Sequence, residues 1–143
     1  CRERGKDPTL HAEMVAIRRA SAALGGWRLT GCDLYVTIEP CPMCAGAILQ
    51  ARIQRVIFGS RDPKAGCAGS LCNLPEDPRF NHRVQVVEGI LAEPCSRIMK
   101  DISGKSGMLP DHEGLFQTET QCSRIMKVIS GKNAMREDVR FWP

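Results

Sequence analysis

Apolar residues recur along the chain at two different spacings, and the switches between them mark out the elements. Met14, Ile17 and Leu24 fall on one stripe at helical intervals, which predicts an amphipathic helix over residues 12–24 that Gly25-Gly26 ends. Leu34-Tyr35-Val36-Thr37-Ile38 is a run of β-branched, aromatic and apolar residues, the pattern of a buried strand. Pro40 interrupts it, Pro42 suits the first turn of a new helix, and that helix is predicted to continue through residues 45–51. A second strand is predicted at Arg55-Val56-Ile57-Phe58. A loop rich in Gly, Pro and Asp follows from Gly59 to about Asn81, then a strand over 83–87 and a helix from about Ala92. Such alternation argues for a three-layer α/β domain in which chemistry gathers where helix N-termini meet strand ends.

Composition bounds the class without naming it. The 143 residues are 43% hydrophobic and 25% charged, so one globular domain with a real core is the default. No apolar run approaches the roughly 18 residues that span a bilayer, and no charged-then-apolar leader opens the sequence. The expectation is a cytoplasmic protein with no membrane partner. Eight cysteines would make a disulfide framework only in a secretory context that nothing here signals, so six are expected to be reduced core or surface residues. A net charge of +4 tolerates a polyanionic partner without demanding one.

The C-terminal part carries a duplication. Residues 95–108 (CSRIMKDISGKSGM) and 122–135 (CSRIMKVISGKNAM) agree at 11 of 14 positions, but two copies do not make a solenoid. Residues 103–143 hold six Lys/Arg against five Asp/Glu, so the positive charge is not concentrated in a basic arm. The expected organisation is a main unit over 1–102 followed by a tail over 103–143.

The chemistry is concentrated in two short stretches, His11-Ala12-Glu13 and Pro40-Cys41-Pro42-Met43-Cys44. His11, Cys41 and Cys44 supply three zinc ligands, and Glu13 is a spare carboxylate. Zinc is normally four-coordinate, so three protein ligands leave a position for water, whose pKa the metal lowers to about 7. The two thiolates neutralise the ion. Their place at the start of a helix is expected to lower the Cys44 thiol pKa, and that of Cys41, before metal arrives. Glu13 lies about 200° around an ideal helix from His11, so the two must splay around the helix end, which suits a carboxylate that moves protons instead of binding metal. The competing reading makes Cys67 or Cys72 a fourth ligand, closing a structural site.

H-x-E followed by P-C-x-x-C is the established signature of zinc-dependent nucleobase deaminases and is recognised as such. With Thr37-Ile38-Glu39 and Ala45-Gly46-Ala47 flanking it, and with Arg52-Ile53, Arg55-Val56, Phe58-Gly59, Arg61-Asp62, Gly66, Gly69-Ser70 and Asn81-His82, the chain closely resembles bacterial tRNA-specific adenosine deaminases over about residues 6–101. The resemblance implies a cytidine deaminase-like fold, a homodimer with one zinc per subunit, and conversion of adenosine to inosine at the wobble position of a tRNA anticodon stem-loop. It makes His11, Cys41 and Cys44 the zinc ligands and Glu13 the proton shuttle. Asp7, Arg61 and Asp62 become residues around the flipped-out nucleotides. Asp7 and Asp62 also read as turn or N-cap carboxylates, and Asn81 as either a pocket amide or a turn former. His82 reads as a structural hydrogen-bonder and Phe80 as core or loop packing.

The chain departs from that family in two places. The family has a helix and a strand hairpin ahead of His11, whereas this sequence begins at Cys1; the expectation is an N-terminally truncated fold, with a sequence fragment as the simpler explanation, and a whole polypeptide of this length is expected to have an uncovered sheet edge and an open pocket. After Asp101 the family's aromatic and Arg-rich ending is replaced by Ile102-Ser103-Gly104-Lys105, where Gly104 favours a helix stop. Two rival functions are a zinc-dependent deaminase of a free base or nucleotide, guanine or a pyrimidine, and a non-catalytic zinc-stabilised binding subunit. The Gly-Ser-Arg-Asp and Asn-His elements of the 59–81 loop favour the tRNA branch over the first.

Overall fold

In the computed structural model, which describes residues 6–104 and 127–130, helix α1 (Ala12–Leu24) leads into β1 (Cys32–Ile38) and then α2 (Pro42–Gln50). Strands β2 (Arg55–Ser60) and β3 (Gln85–Val87), helix α3 (Ala92–Gly104) and strand β4 (Lys127–Ser130) follow. The strands lie in the order β3-β2-β1-β4, with β1, β2 and β3 parallel and β4 antiparallel to β1. Parallel neighbours need a crossover, and α2 supplies it between β1 and β2.

Gly25 ends α1 because it can adopt φ +70°: its N–H reaches the Ala22 carbonyl and the Gly26 N–H reaches Ser21, the paired bonds of a Schellman turn. The expected apolar stripe is shifted by that ending. Ile17 and Ala20 are buried, but Leu24 is 41% exposed, because it is the last helical residue where the chain turns out of the core. Register aligns Leu34 with Val56 and Val36 with Phe58, and these four pack with Ile17, Ile48, Leu49 and Ile53 in the main core. Each large side chain so buried contributes about 1.5–3 kcal/mol.

The alternate residues of β2 face the other way. A Cβ placed on Gly59 would stand 2.3 Å from Cys95 Sγ, so α3 covers the sheet face opposite to the one that Val56 and Phe58 present to the core. The three-layer α/β arrangement is as the alternation implied. Strand β3 starts two residues later than expected: the Val84 N–H is taken by the Pro75 carbonyl at 2.8 Å, and only from Gln85 does the backbone join β2.

One expectation is overturned. The edge of β1 is not open, because Lys127–Ser130 pairs along it from Cys32↔Ser130 to Tyr35↔Lys127. An unpaired row of backbone donors and acceptors is a template for a strand-forming segment, and the β-branched pair Val128-Ile129 provides one. The first copy of the duplication contributes residues 95–104 to α3, and the second contributes 127–130 to β4. The remainder of both copies, 105–108, 122–126 and 131–135, lies outside the described residues, as does most of the tail. Among the described residues no helix is long and apolar enough to cross a membrane.

Candidate metal centre

Two helix starts build the site. His11 is the N-cap of α1 with extended backbone (φ −82°, ψ 154°), and Cys41 is the N-cap of α2 (φ −71°, ψ 171°). Neither uses its side chain to cap its helix, and Pro42 then sets the first turn, which carries Cys44 two residues on. The His11 Nδ1 lies 3.5 Å from Cys44 Sγ and 3.7 Å from Cys41 Sγ.

Those separations are what a metal would impose. Zn–S of about 2.3 Å and Zn–N of about 2.0–2.1 Å at a tetrahedral angle put N and S about 3.6 Å apart. His11, Cys41 and Cys44 are also the group that could hold a metal among the described residues, with all donor atoms within 4.8 Å of one another. Cys67 and Cys72 are not in it, which removes the fourth-ligand reading. Cys67 is instead hydrogen-bonded to Cys72, and burial first, then that neighbour, push its thiol up to about 11. Cys32, Cys67, Cys72 and Cys95 are all outside disulfides.

Glu13 is 6% exposed and stands beside the Cys44 thiol within hydrogen-bond reach. The splay between His11 and Glu13 is therefore realised, with the imidazole at the helix entry and the carboxylate one step inside it. The expected lowering of the Cys44 thiol does not occur. Burial pushes it strongly up, and the nearby Glu13 carboxylate and Cys41 add to that, so desolvation outweighs the helix N-terminus while no cation is present.

The expected substrate residues lie on loops, and Asp7, Arg61 and Asp62 each have hydrogen-bond partners there. The Asp7 carboxylate accepts from the Thr9 amide (2.8 Å) and hydroxyl (2.6 Å), contacts that hold it below the usual carboxylate range. Asp62 accepts from the amides of Lys64 and Ala65, and Arg61 forms a two-pronged pair with Glu88 at 2.8 and 2.7 Å. Asn81 is exposed. His82 is a structural hydrogen-bonder, its Nε2 lying 2.7 Å from the Ile53 carbonyl. Phe80 is 44% exposed and not in the core.

Sequence reasoning did not single out Glu39, which is 2% exposed immediately before Pro40-Cys41. Burial alone would raise its pKa. The Ser70 hydroxyl and the N–H groups of Asp62, Ser70 and Ala68 outweigh that and leave it below the ordinary carboxylate range. The available signal was a charged residue closing an otherwise apolar strand.

Comparison with known proteins places this geometry. The family model for the cytidine and deoxycytidylate deaminase zinc-binding region matches residues 1–60. A tRNA-specific adenosine deaminase of Bacillus subtilis is 52% identical over 98 residues, covering 68% of this chain and 61% of that protein. A solved structure from a study of A-to-I editing by tRNA:A34 deaminases at the wobble position superposes with a TM-score of 0.65 at 43% identity, covering 68% of this chain and 70% of that one. A guanine deaminase from Nitrosomonas europaea shares the fold, with a TM-score of 0.55 at 21% identity, over 68% of this chain and 58% of that one. The chain spans about three-fifths of the length of the curated relatives it matches.

Proposed function

We propose that this chain, which belongs to the cytidine and deoxycytidylate deaminase zinc-binding family, hydrolyses adenosine to inosine at the wobble position of a tRNA anticodon. The observation that carries the reading is the His11, Cys41 and Cys44 donor triangle with the buried Glu13 carboxylate beside it. A purely structural site has no use for that carboxylate. Identity of 52% over 98 residues to a tRNA-specific adenosine deaminase supports RNA as the substrate class.

In this reading His11 as neutral imidazole and Cys41 and Cys44 as thiolates hold the zinc, one per subunit. The metal supplies, when bound, a water acidified to a pKa of about 7. Glu13 accepts a proton during attack on C6 of the flipped-out adenine, passes it to the ring nitrogen and then assists the departing amine. Asp7, Arg61, Asp62 and Asn81 contribute contacts to the neighbouring nucleotides. The deaminase unit is residues 1–102, with 103–143 as a tail that returns residues 127–130 to the sheet as β4, and the protein acts as a cytoplasmic homodimer.

Incubating the zinc-loaded protein with anticodon stem-loops carrying adenosine at the wobble position, and scoring inosine, tests this directly. Inosine formation is expected. Turnover of free guanine or a pyrimidine with none of the stem-loops would overturn it.

A further inference from the structure

Glu39 accepts four hydrogen bonds, and all four come from one loop. Its Oε1 receives the N–H groups of Ala68 and Ser70, both at 2.9 Å, and its Oε2 receives the Asp62 N–H at 3.0 Å and the Ser70 hydroxyl. A carboxylate has about four acceptor positions, so this one is saturated by donors. The loop also reaches back to the same stretch of backbone. Glu39 donates its N–H to the Ser60 carbonyl at 2.9 Å, and Cys67 donates to the Pro40 carbonyl at 2.8 Å.

The enclosure is tight. A Cβ added at Gly66 would stand 2.3 Å from Glu39 Cδ and 2.6 Å from the Asp62 carbonyl oxygen, so only glycine lets the loop close round the carboxylate. Residues 61–70 are thereby fixed to the strand end two residues before Cys41. They carry Arg61 and Asp62.

We infer that Glu39 is a positioning residue: it holds the 61–70 loop against the metal-bearing strand end, and the place of that loop sets affinity for the RNA substrate while leaving the chemical step alone. This rests on the tRNA deaminase reading above. Glutamine at 39 has the same shape but presents an NH2 group to backbone N–H donors, so roughly half of the tether is lost without disturbing the backbone that leads to Cys41.

The test uses the full chain loaded with zinc and compares Glu39→Gln and Ser70→Ala with the unsubstituted protein. For Glu39→Gln we expect KM for the stem-loop to rise about tenfold to a hundredfold with kcat within about threefold, the signature of lost substrate binding. One zinc per chain is retained, and amide exchange at Ala68 and Ser70 accelerates at least about tenfold. Ser70→Ala, which removes a single donor, moves KM and exchange in the same direction by less, and decides the matter alone if Glu39→Gln does not fold. Unchanged exchange, a fall in kcat at constant KM, or loss of zinc from the folded Glu39→Gln protein would each overturn the inference. Absence of inosine from the unsubstituted protein overturns the tRNA reading and the positioning role with it, whereas the tether itself is judged by the exchange measurement.

Discussion

Gly59 of β2 and Cys95 of α3 meet so closely that the strand has no room for a side chain between them. An added Cβ would lie 2.3 Å from the sulfur, 2.6 Å from the Cys95 Cβ and 3.0 Å from the Ile90 carbonyl oxygen. The third layer is seated on that contact. Gly59→Ala is expected to destabilise the fold by about 1–3 kcal/mol through overpacking. Gly46→Ala is the control, since its Cβ would meet nothing within 4 Å inside α2 and the change should stabilise by about 0.5–1 kcal/mol. Urea unfolding of the two variants measures both signs, and an unchanged Gly59→Ala protein would show that α3 can lift.

Removing a ligand should remove the metal. Cys44 is fully buried at the start of α2, so Cys44→Ala takes away both a thiolate and the cation that holds two helix starts together. Metal analysis is expected to show less than one zinc per chain, and thermal unfolding a lower midpoint in the variant or after chelation. Stoichiometric zinc in Cys44→Ala would exclude it as a ligand.

Substituting Glu13 is expected to separate catalysis from metal binding. Glu13→Ala should keep one zinc per chain and its fold while inosine formation falls by about 10²–10⁴-fold, the range for a lost general acid–base group. Loss of zinc along with activity would make Glu13 a ligand instead of a proton carrier.

Zinc uptake should release protons. In the metal-free site burial, Glu13 and Cys41 raise the Cys44 thiol pKa, so the sulfur carries its proton at neutral pH and must surrender it to bind. Zinc affinity therefore rises with pH and is lost as pH falls. Calorimetric titration in buffers of different ionisation enthalpy counts the protons, and a count of zero would contradict a protonated Cys44.

The parts of the fold legible in the sequence are those set by local pattern and punctuation. Gly25 at the end of α1, Pro42 at the start of α2 and the apolar run of β1 are each determined within a few residues, and each element appears where it was expected. The donor set was legible in another way: C-x-x-C spacing brings Cys41 and Cys44 together, but that His11, 30 and 33 residues away, joins them was implied by the family signature. Leu24, Val84 and Phe80 were misplaced at element ends or in the long loop, where burial depends on what lies across the molecule.

The duplicated segment separates the two kinds of information. Lys100-Asp101-Ile102-Ser103 is helical in α3 and Lys127-Val128-Ile129-Ser130 is a strand in β4, although they differ at one position. The one difference, Asp101 against Val128, already favours a strand in the second copy, and a sheet edge available to that copy completes the choice. Glu39 shows the same division at the site. By itself the sequence determined the helix starts and the apolar strands through short-range pattern, and the family signature it carries pointed to the three metal donors, His11, Cys41 and Cys44. Only the tertiary structure decided that Cys44 is too deeply buried to ionise unaided, that β1 has a partner on its outer edge, and that one carboxylate gathers the 61–70 loop. The first depends on solvent exclusion, the second on a strand that pairs from Cys32↔Ser130 to Tyr35↔Lys127, and the third on donors 23 to 31 residues away in the chain.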